Sequence, residues 1–245
     1  MITKEHSIER ELNNSDSSDE ILVVIPARGG SKRLPDKNVR LLAGKPLIFW
    51  TIETAIKAYL GARIVVTSDD SEILKLTQHY ASDGIIAHKR PQELATDTAS
   101  TVDTLIDVIE TEKKLGFRPK TVILLQPTSP LREVEDVLSA VKIFKKTNRL
   151  ETVVSVCEVD HPTAWTGVVG SDLSYTGIDF SAKRSQDYPA EYRLNGAIYV
   201  VPVEHLMGEK NLFTKNLRAL VMPRIRSIDI DEEIDFRMCE ALLNG

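Results

Sequence analysis

The sequence predicts an α/β fold in which a doubly wound, mainly parallel sheet carries helices on both faces. Three observations lead to it: short β-branched runs alternate with longer helix-period stretches, two central runs are apolar throughout, and helices lie in the connections. A strand that is apolar at every position suits a parallel sheet covered on both sides, because a half-exposed strand would alternate apolar and polar residues. Crossover helices supply that cover.

Residues 1–20 are polar and end in Asn13-Asn14-Ser15-Asp16-Ser17-Ser18-Asp19-Glu20. Such a stretch buries too little apolar surface to offset the entropy of ordering, so a flexible leader is expected. Strands are then expected at 21–26, 63–67, 84–87, 121–125 and 152–157, with helices at 46–59, 70–82, 100–115 and 133–147. After Val156 the alternation breaks. Asp160–Ala190 holds His161, Pro162, Trp165 and several aromatics without a helical period, and reads as an excursion from the sheet, either a lid or a dimerisation arm. The sheet resumes at Gly196–Val201 and near 218–222, followed by Ile228-Asp229-Ile230 and a closing amphipathic helix at 232–243. The predicted organisation is one α/β domain, 21–157 and 191–245, interrupted by a small excursion at 158–190.

Composition narrows the function. The 245 residues can bury roughly 70–75% of their unfolded surface in one core. Lys plus Arg total 31 and Asp plus Glu 36, a net charge of −5. That balance argues against binding nucleic acid or an anionic membrane through bulk positive charge, so any phosphate chemistry needs a local basic cluster. No apolar stretch approaches the roughly 20 residues that span a bilayer, and the N-terminus lacks the pattern of a secretory signal. Cys157 and Cys239 sit in apolar contexts without CxxC spacing, which predicts reduced core residues in a cytoplasmic protein.

Ligands of such sheets sit at the carboxyl ends of the strands, which directs attention to the loop after the first strand. That loop, Pro26-Ala-Arg-Gly-Gly-Ser-Lys-Arg-Leu-Pro-Asp-Lys-Asn38, is neither GxGxxG nor a P-loop. It clusters Arg28, Lys32, Arg33 and Lys37 around Gly29-Gly30, four cations beside glycines whose amides can approach an anion. This is the local basic cluster that the composition demands.

The string Ile25–Asn38 resembles the signature loop of the acylneuraminate cytidylyltransferases, the CMP-sialic acid synthetases and their CMP-legionaminate synthetase-like relatives. The similarity extends through Arg90–Leu94 with Asp97–Ser100, Leu124-Leu-Gln-Pro-Thr-Ser-Pro-Leu-Arg132, Tyr192-Arg-Leu-Asn-Gly-Ala-Ile-Tyr199 and Ser227-Ile-Asp-Ile-Asp231. The blocks run in the expected order across residues 21–243. The resemblance implies a Rossmann-like nucleotidyltransferase fold and attack of a sugar's anomeric hydroxyl on the α-phosphorus of CTP, releasing pyrophosphate. It favours N-acylneuraminate as the sugar, with legionaminate, pseudaminate or Kdo as alternatives; the 124–130 block favours neuraminate or legionaminate. A nucleotide-binding module without catalysis is the alternative of a different class.

Within that reading Arg28 and Lys37 hold the triphosphate and stabilise departing pyrophosphate, joined by Gly29, Gly30, Ser31 and Asn38. Relatives often carry Gly where this chain has Arg33, whose role stays open between phosphate contact and simple exposure. Arg90 and Ser100 fall where the family binds cytidine. Gln126 and Thr128 belong to the sugar pocket by resemblance, and Arg193 and Tyr199 join them, Arg193 as a bidentate partner for the sugar carboxylate. Tyr199 is also what any strand would favour. Asp229 and Asp231, two apart, project to one side if extended and can present two carboxylates to a hard cation. By resemblance they ligate Mg2+; the alternative is that Asp231 caps the last helix. Asp231, Arg28 and Lys37 are the expected catalytic residues. His161 and Trp165 are assigned to structure or a subunit interface, since the excursion is the family's dimerisation element and a homodimer is implied. Ser185 stands where relatives often have a second arginine, within Lys183–Asp187.

Overall fold

The computed structural model describes residues 20–96, 98–179, 181 and 184–245. Of the expected leader only Glu20 lies among them, and Asp97 of the 97–100 block and Lys183 of the 183–187 run lie outside them.

Seven strands lie side by side in the order β11 (Leu217–Val221), β7 (Thr152–Glu158), β10 (Tyr192–Pro202), β6 (Thr121–Leu125), β1 (Ile21–Pro26), β4 (Arg63–Ser68) and β5 (Ile85–Lys89). All neighbours are parallel except β10, which runs antiparallel to both β6 and β7. The expected mainly parallel sheet is therefore present. Helices α1 (Leu47–Lys57), α2 (Ser71–Thr77), α3 (Thr101–Lys114), α4 (Val134–Lys146), α5 (Val203–Glu209) and α6 (Glu233–Asn244) complete the chain.

Strand period 2 divides β1 between two cores. Ile21, Val23 and Ile25 pack with Ile48 and Ile52 of α1 and Val137, Val141 and Phe144 of α4, whereas Leu22 and Val24 pack with Leu105, Val108 and Ile109 of α3 and Leu206 of α5. Each such side chain contributes about 1.5–3 kcal/mol when fully buried, which is why the central run has no polar residue. A third cluster joins Leu34, Leu42, Leu47, Leu131, Ile230, Phe236 and Cys239. It fastens α6 beneath the loops that follow β1 and β6, and Arg40 reinforces it with two hydrogen bonds to Glu233 at 2.5 and 2.9 Å.

Several boundaries differ from expectation. The helix expected at 70–82 stops at Thr77 and continues as a 3-10 segment, Gln78–Asp83, because Tyr80 leaves helical geometry before Gly84 turns left-handed at φ +81°. The helix expected from 46 begins at Leu47, and Pro46 instead ends a two-residue hairpin of β2 (Leu41–Leu42) and β3 (Lys45–Pro46), too short to leave a periodic signal. Strand β10 reaches back to Tyr192, since its first residues pair with the end of β7. Ile228–Ile230 joins no sheet; its one ladder-like bond runs from the Ile230 amide to the Thr128 carbonyl at 2.8 Å. The 158–190 excursion contains a small hairpin, β8 (Val168–Val169) with β9 (Tyr175–Thr176). Within it the His161 and Trp165 rings stack at 6.0 Å. Both cysteines are free and buried, and no helix among the described residues is long and apolar enough to cross a membrane.

Candidate active site

At the carboxyl edge of the sheet a cleft of about 660 Å³ opens between the loop after β1, the segment from Arg90 to the start of α3, the turn after β6, and Asp231. Arg28, Ser31, Lys37, Asn38, Arg90, Gln126, Thr128 and Asp231 line it, so the sequence-predicted cations, amides and one carboxylate do converge. Lys32 and Arg33 line it as well.

The first loop owes its shape to a close approach. A Cβ at Gly29 would lie 2.6 Å from Asp70 Oδ2, and the Gly29 amide donates to Asp69 Oδ1 at 3.2 Å. Asp70 is at the same time the N-cap of α2, accepting from the Glu72 and Ile73 amides at 2.7 and 3.3 Å. Gly29 therefore serves loop geometry, and its amide donates to Asp69; neither it nor Gly30 is among the lining residues. Asn38 closes the loop by donating to the Arg28 carbonyl at 3.0 Å, and its own buried Oδ1 has no hydrogen-bond partner among the described residues. A buried acceptor left open in a cleft is a position for a ligand donor.

Lys37 is only 8% exposed. Its ammonium donates to the Ile230 carbonyl at 2.5 Å and lies 3.6 Å from Asp231 Oδ1. Burial lowers its pKa below the usual lysine value, opposed by Asp231 and Asp229. Arg33 approaches the other Asp231 oxygen at 3.2 Å. Arg90 is buried, donates to the Thr67 carbonyl at 2.9 Å, and keeps its Nε unpaired.

Asp229 sits deeper than Asp231. Burial raises its pKa, while a hydrogen bond from the Thr128 side chain works in the opposite direction. Its Oδ1 is buried without a hydrogen-bond partner among the described residues. Gly196, at φ +75° in the β10 bulge, leaves space between Asp229 and the Gln126 amide: a Cβ there would stand 3.2 Å from Gln126 Oε1 and 3.6 Å from Asp229 Oδ2. Among the described residues no group of three or more His, Cys, Asp or Glu is placed to hold a metal. Two carboxylates, one with an orphaned oxygen, nevertheless fit Mg2+, which commonly takes one or two carboxylates and completes its shell with substrate phosphates and water.

A family profile described as cytidylyltransferase matches residues 22–167. This chain belongs to the cytidylyltransferase family. Among its relatives, the CMP-N,N'-diacetyllegionaminic acid synthase of Legionella pneumophila is 37% identical over 91% of this chain and 96% of its own length. The N-acylneuraminate cytidylyltransferase of Escherichia coli is 33% identical over 89% of this chain, which spans only 51% of that relative. A solved CMP:2-keto-3-deoxy-manno-octonic acid synthetase complexed with CTP shares the fold at a TM-score of 0.71 and 20% identity, covering 92% of this chain and 99% of that one.

In this cytidylyltransferase three further expected site residues, besides Gly29, Gly30 and Asp229, stand outside the cleft lining. The Ser100 hydroxyl is occupied as the N-cap of α3, accepting from the Asp103 amide at 3.0 Å and donating to its carboxylate at 2.8 Å. Ala99 and Thr101 on either side line the cleft instead. Tyr199 is 8% exposed and packs in the second core with Leu124, Val154 and Val201, its ring 6.4 Å from Phe213. Asp229 is near enough to add to the rise that burial produces in its pKa. Arg193 is exposed opposite Cys157, five residues before Ile198, which pairs with the last residue of β6. Because β10 bulges between Leu194 and Tyr199, the register against β7 puts Arg193 about two residues, roughly 7 Å, beyond the level of Leu125. Residues the sequence reading left out include Thr96, Thr101 and Thr104, whose lining positions follow from the entry to α3.

Proposed function

We propose that this cytidylyltransferase transfers CMP from CTP to the anomeric hydroxyl of a nonulosonic acid of the N-acylneuraminate type. The observation that carries the proposal is the meeting, across one cleft, of the Arg28–Lys37 cation loop with Asp231 and, behind it, Asp229. The sugar oxygen forms its bond to the α-phosphorus, the bond to the bridging oxygen breaks, and that electron pair leaves with pyrophosphate. Arg28, Lys32 and Lys37 hold the charge that accumulates on the leaving group. Asp229 and Asp231 would hold Mg2+, which when bound would withdraw charge from the α-phosphate and lower the pKa of the attacking hydroxyl. Arg90 and the open Asn38 oxygen suit the nucleoside, and Gln126 and Thr128 suit the hydroxyls of the sugar.

Legionaminate is the second reading, favoured by the relative of matching length at 37% identity. Pyrophosphate release from CTP and Mg2+, measured with neuraminate, legionaminate, pseudaminate and Kdo side by side, tests both. Turnover is expected with a sugar of the first two kinds. Binding of CTP without turnover of any of the four would instead leave a nucleotide-binding module.

The excursion supports a homodimer. Val168, Val169, Leu173 and Tyr175 are all exposed large apolar residues on its hairpin, a concentration that fits contact with a second copy. Light scattering should give twice the chain mass; an obligate monomer overturns this part. Two buried free thiols suit a reducing, cytoplasmic setting, and no nucleic acid or membrane partner is proposed.

A further inference from the structure

We infer that Arg132 is a positioning residue that fixes the sugar-binding turn after β6 to the β10 bulge, and through them the carboxylate pair. The inference rests on the functional reading above and assigns work to a side chain outside it.

Arg132 is 3% exposed. One terminal nitrogen, Nη1, donates to the Ala197 carbonyl at 2.8 Å and to the Gln126 carbonyl at 3.2 Å, while Nη2 donates to Thr51 Oγ1 at 2.8 Å. Burial lowers its pKa to about 9, so it keeps its charge at neutral pH. A buried cation is costly unless its donors are used; here the two terminal nitrogens are spent on two carbonyls flanking the site and one hydroxyl of α1, while Nε has no hydrogen-bond partner among the described residues.

The turn it holds has little else to define it. Pro127 and Pro130 contribute no amide hydrogen, and the turn's own backbone bonds, Ser129 to Gln126 and Arg132 to Ser129, are both 3.4 Å long. Gln126 projects from this turn, and Ala197 follows Gly196, whose missing side chain leaves room for Gln126 and Asp229. Thr128, in the same turn, carries both the Asp229 hydrogen bond and the carbonyl that receives the Ile230 amide. The Ile230 carbonyl in turn receives Lys37. One guanidinium thus sets the distance between the sugar-side turn and the strand beneath the carboxylates. The nucleotide-side residues Arg28 and Arg90 lie on other segments, the loops that follow β1 and β5.

This arrangement predicts a split between substrates. In Arg132→Met the metal-free affinity for CTP, measured by calorimetry on the folded variant, stays within about twofold, because Arg28 and Arg90 are carried by other loops. The sugar KM rises and kcat falls, together on the order of 10²-fold in kcat/KM for the sugar, the scale of a misplacement near 1 Å. Arg132→Lys retains charge, but a single ammonium cannot serve the two carbonyls and the Thr51 hydroxyl together as the two terminal nitrogens do, so it keeps part of the defect. Thr51→Val, which alters only the third partner, gives the same signature at about fivefold and serves if Arg132→Met fails to fold. Equal loss for CTP binding and sugar turnover, or unchanged sugar kinetics in Arg132→Met and Thr51→Val, overturns the inference. Either result is obtained against an active parent enzyme, so it is distinct from failure of the parent to turn over any sugar.

Discussion

Asp231→Asn is expected to leave the protein folded and to reduce pyrophosphate release on the order of 10³-fold at saturating Mg2+. The side chain of Asp231 is 47% exposed, and its neighbours Arg33 and Lys37 approach at 3.2 and 3.6 Å. Exposed pairs of this kind contribute about 0–1 kcal/mol, so an isosteric amide costs the fold little. The chemistry loses far more. An amide brings no negative charge to a hard cation, and its NH2 turns a donor toward it. Asp231 does not serve as the side-chain cap of α6: Glu232 occupies that position, and the Asp231 amide instead donates to Asp235 at 3.0 Å. A thermal melt and a pyrophosphate assay on the same preparation decide the matter. Near-normal turnover would remove Asp231 from the metal and return it to the loop's charge balance.

Lys37→Met is the second large effect. The methionine stem follows the lysine path through a slot that is 8% exposed, so packing is largely kept. What disappears is an ammonium held in place before substrate arrives, by the Ile230 carbonyl and Asp231. A charge fixed in advance opposite a developing anion is worth about 10²–10³ in rate, and that loss is expected in kcat with a smaller rise in the CTP KM. Lys37→Arg should not restore it, because the wider guanidinium does not fit a slot built around one bond to Ile230. Recovery of full activity in Lys37→Arg would show that charge alone matters there and that the fixed geometry does not.

The fold was legible where one physical cause acted alone. Ile21–Ile25 and Val122–Leu125 are apolar at every position because both faces of their strands are covered, and a pattern without alternation states that directly. The α2 boundary was not, because Tyr80 departs from the helix through local backbone geometry that no periodicity records. In the site, charge was legible and placement was not. Four cations around two glycines announce an anion, yet the sequence does not tell that Asp70 sits where a Gly29 side chain would be. Ser100 carries the residue type suited both to a nucleotide and to a helix cap, and only the Asp103 contacts separate the two. Arg132 lay inside a recognised block with no role attached, since a cation serving backbone carbonyls across 65 residues of chain leaves no local signature.

The reversed direction of β10 determines which parts of the chain can meet the substrate. Were β10 parallel to its neighbours, the stretch after it, 203–216, would emerge beside the cleft and the 159–191 segment would enter at the opposite end of the sheet. As built, the chain leaves β7 and returns into β10 at the same edge, so a segment anchored at both ends there can change in length or composition while the strands beneath keep their register. That segment can accordingly diverge while the cleft built on the other strands keeps its lining.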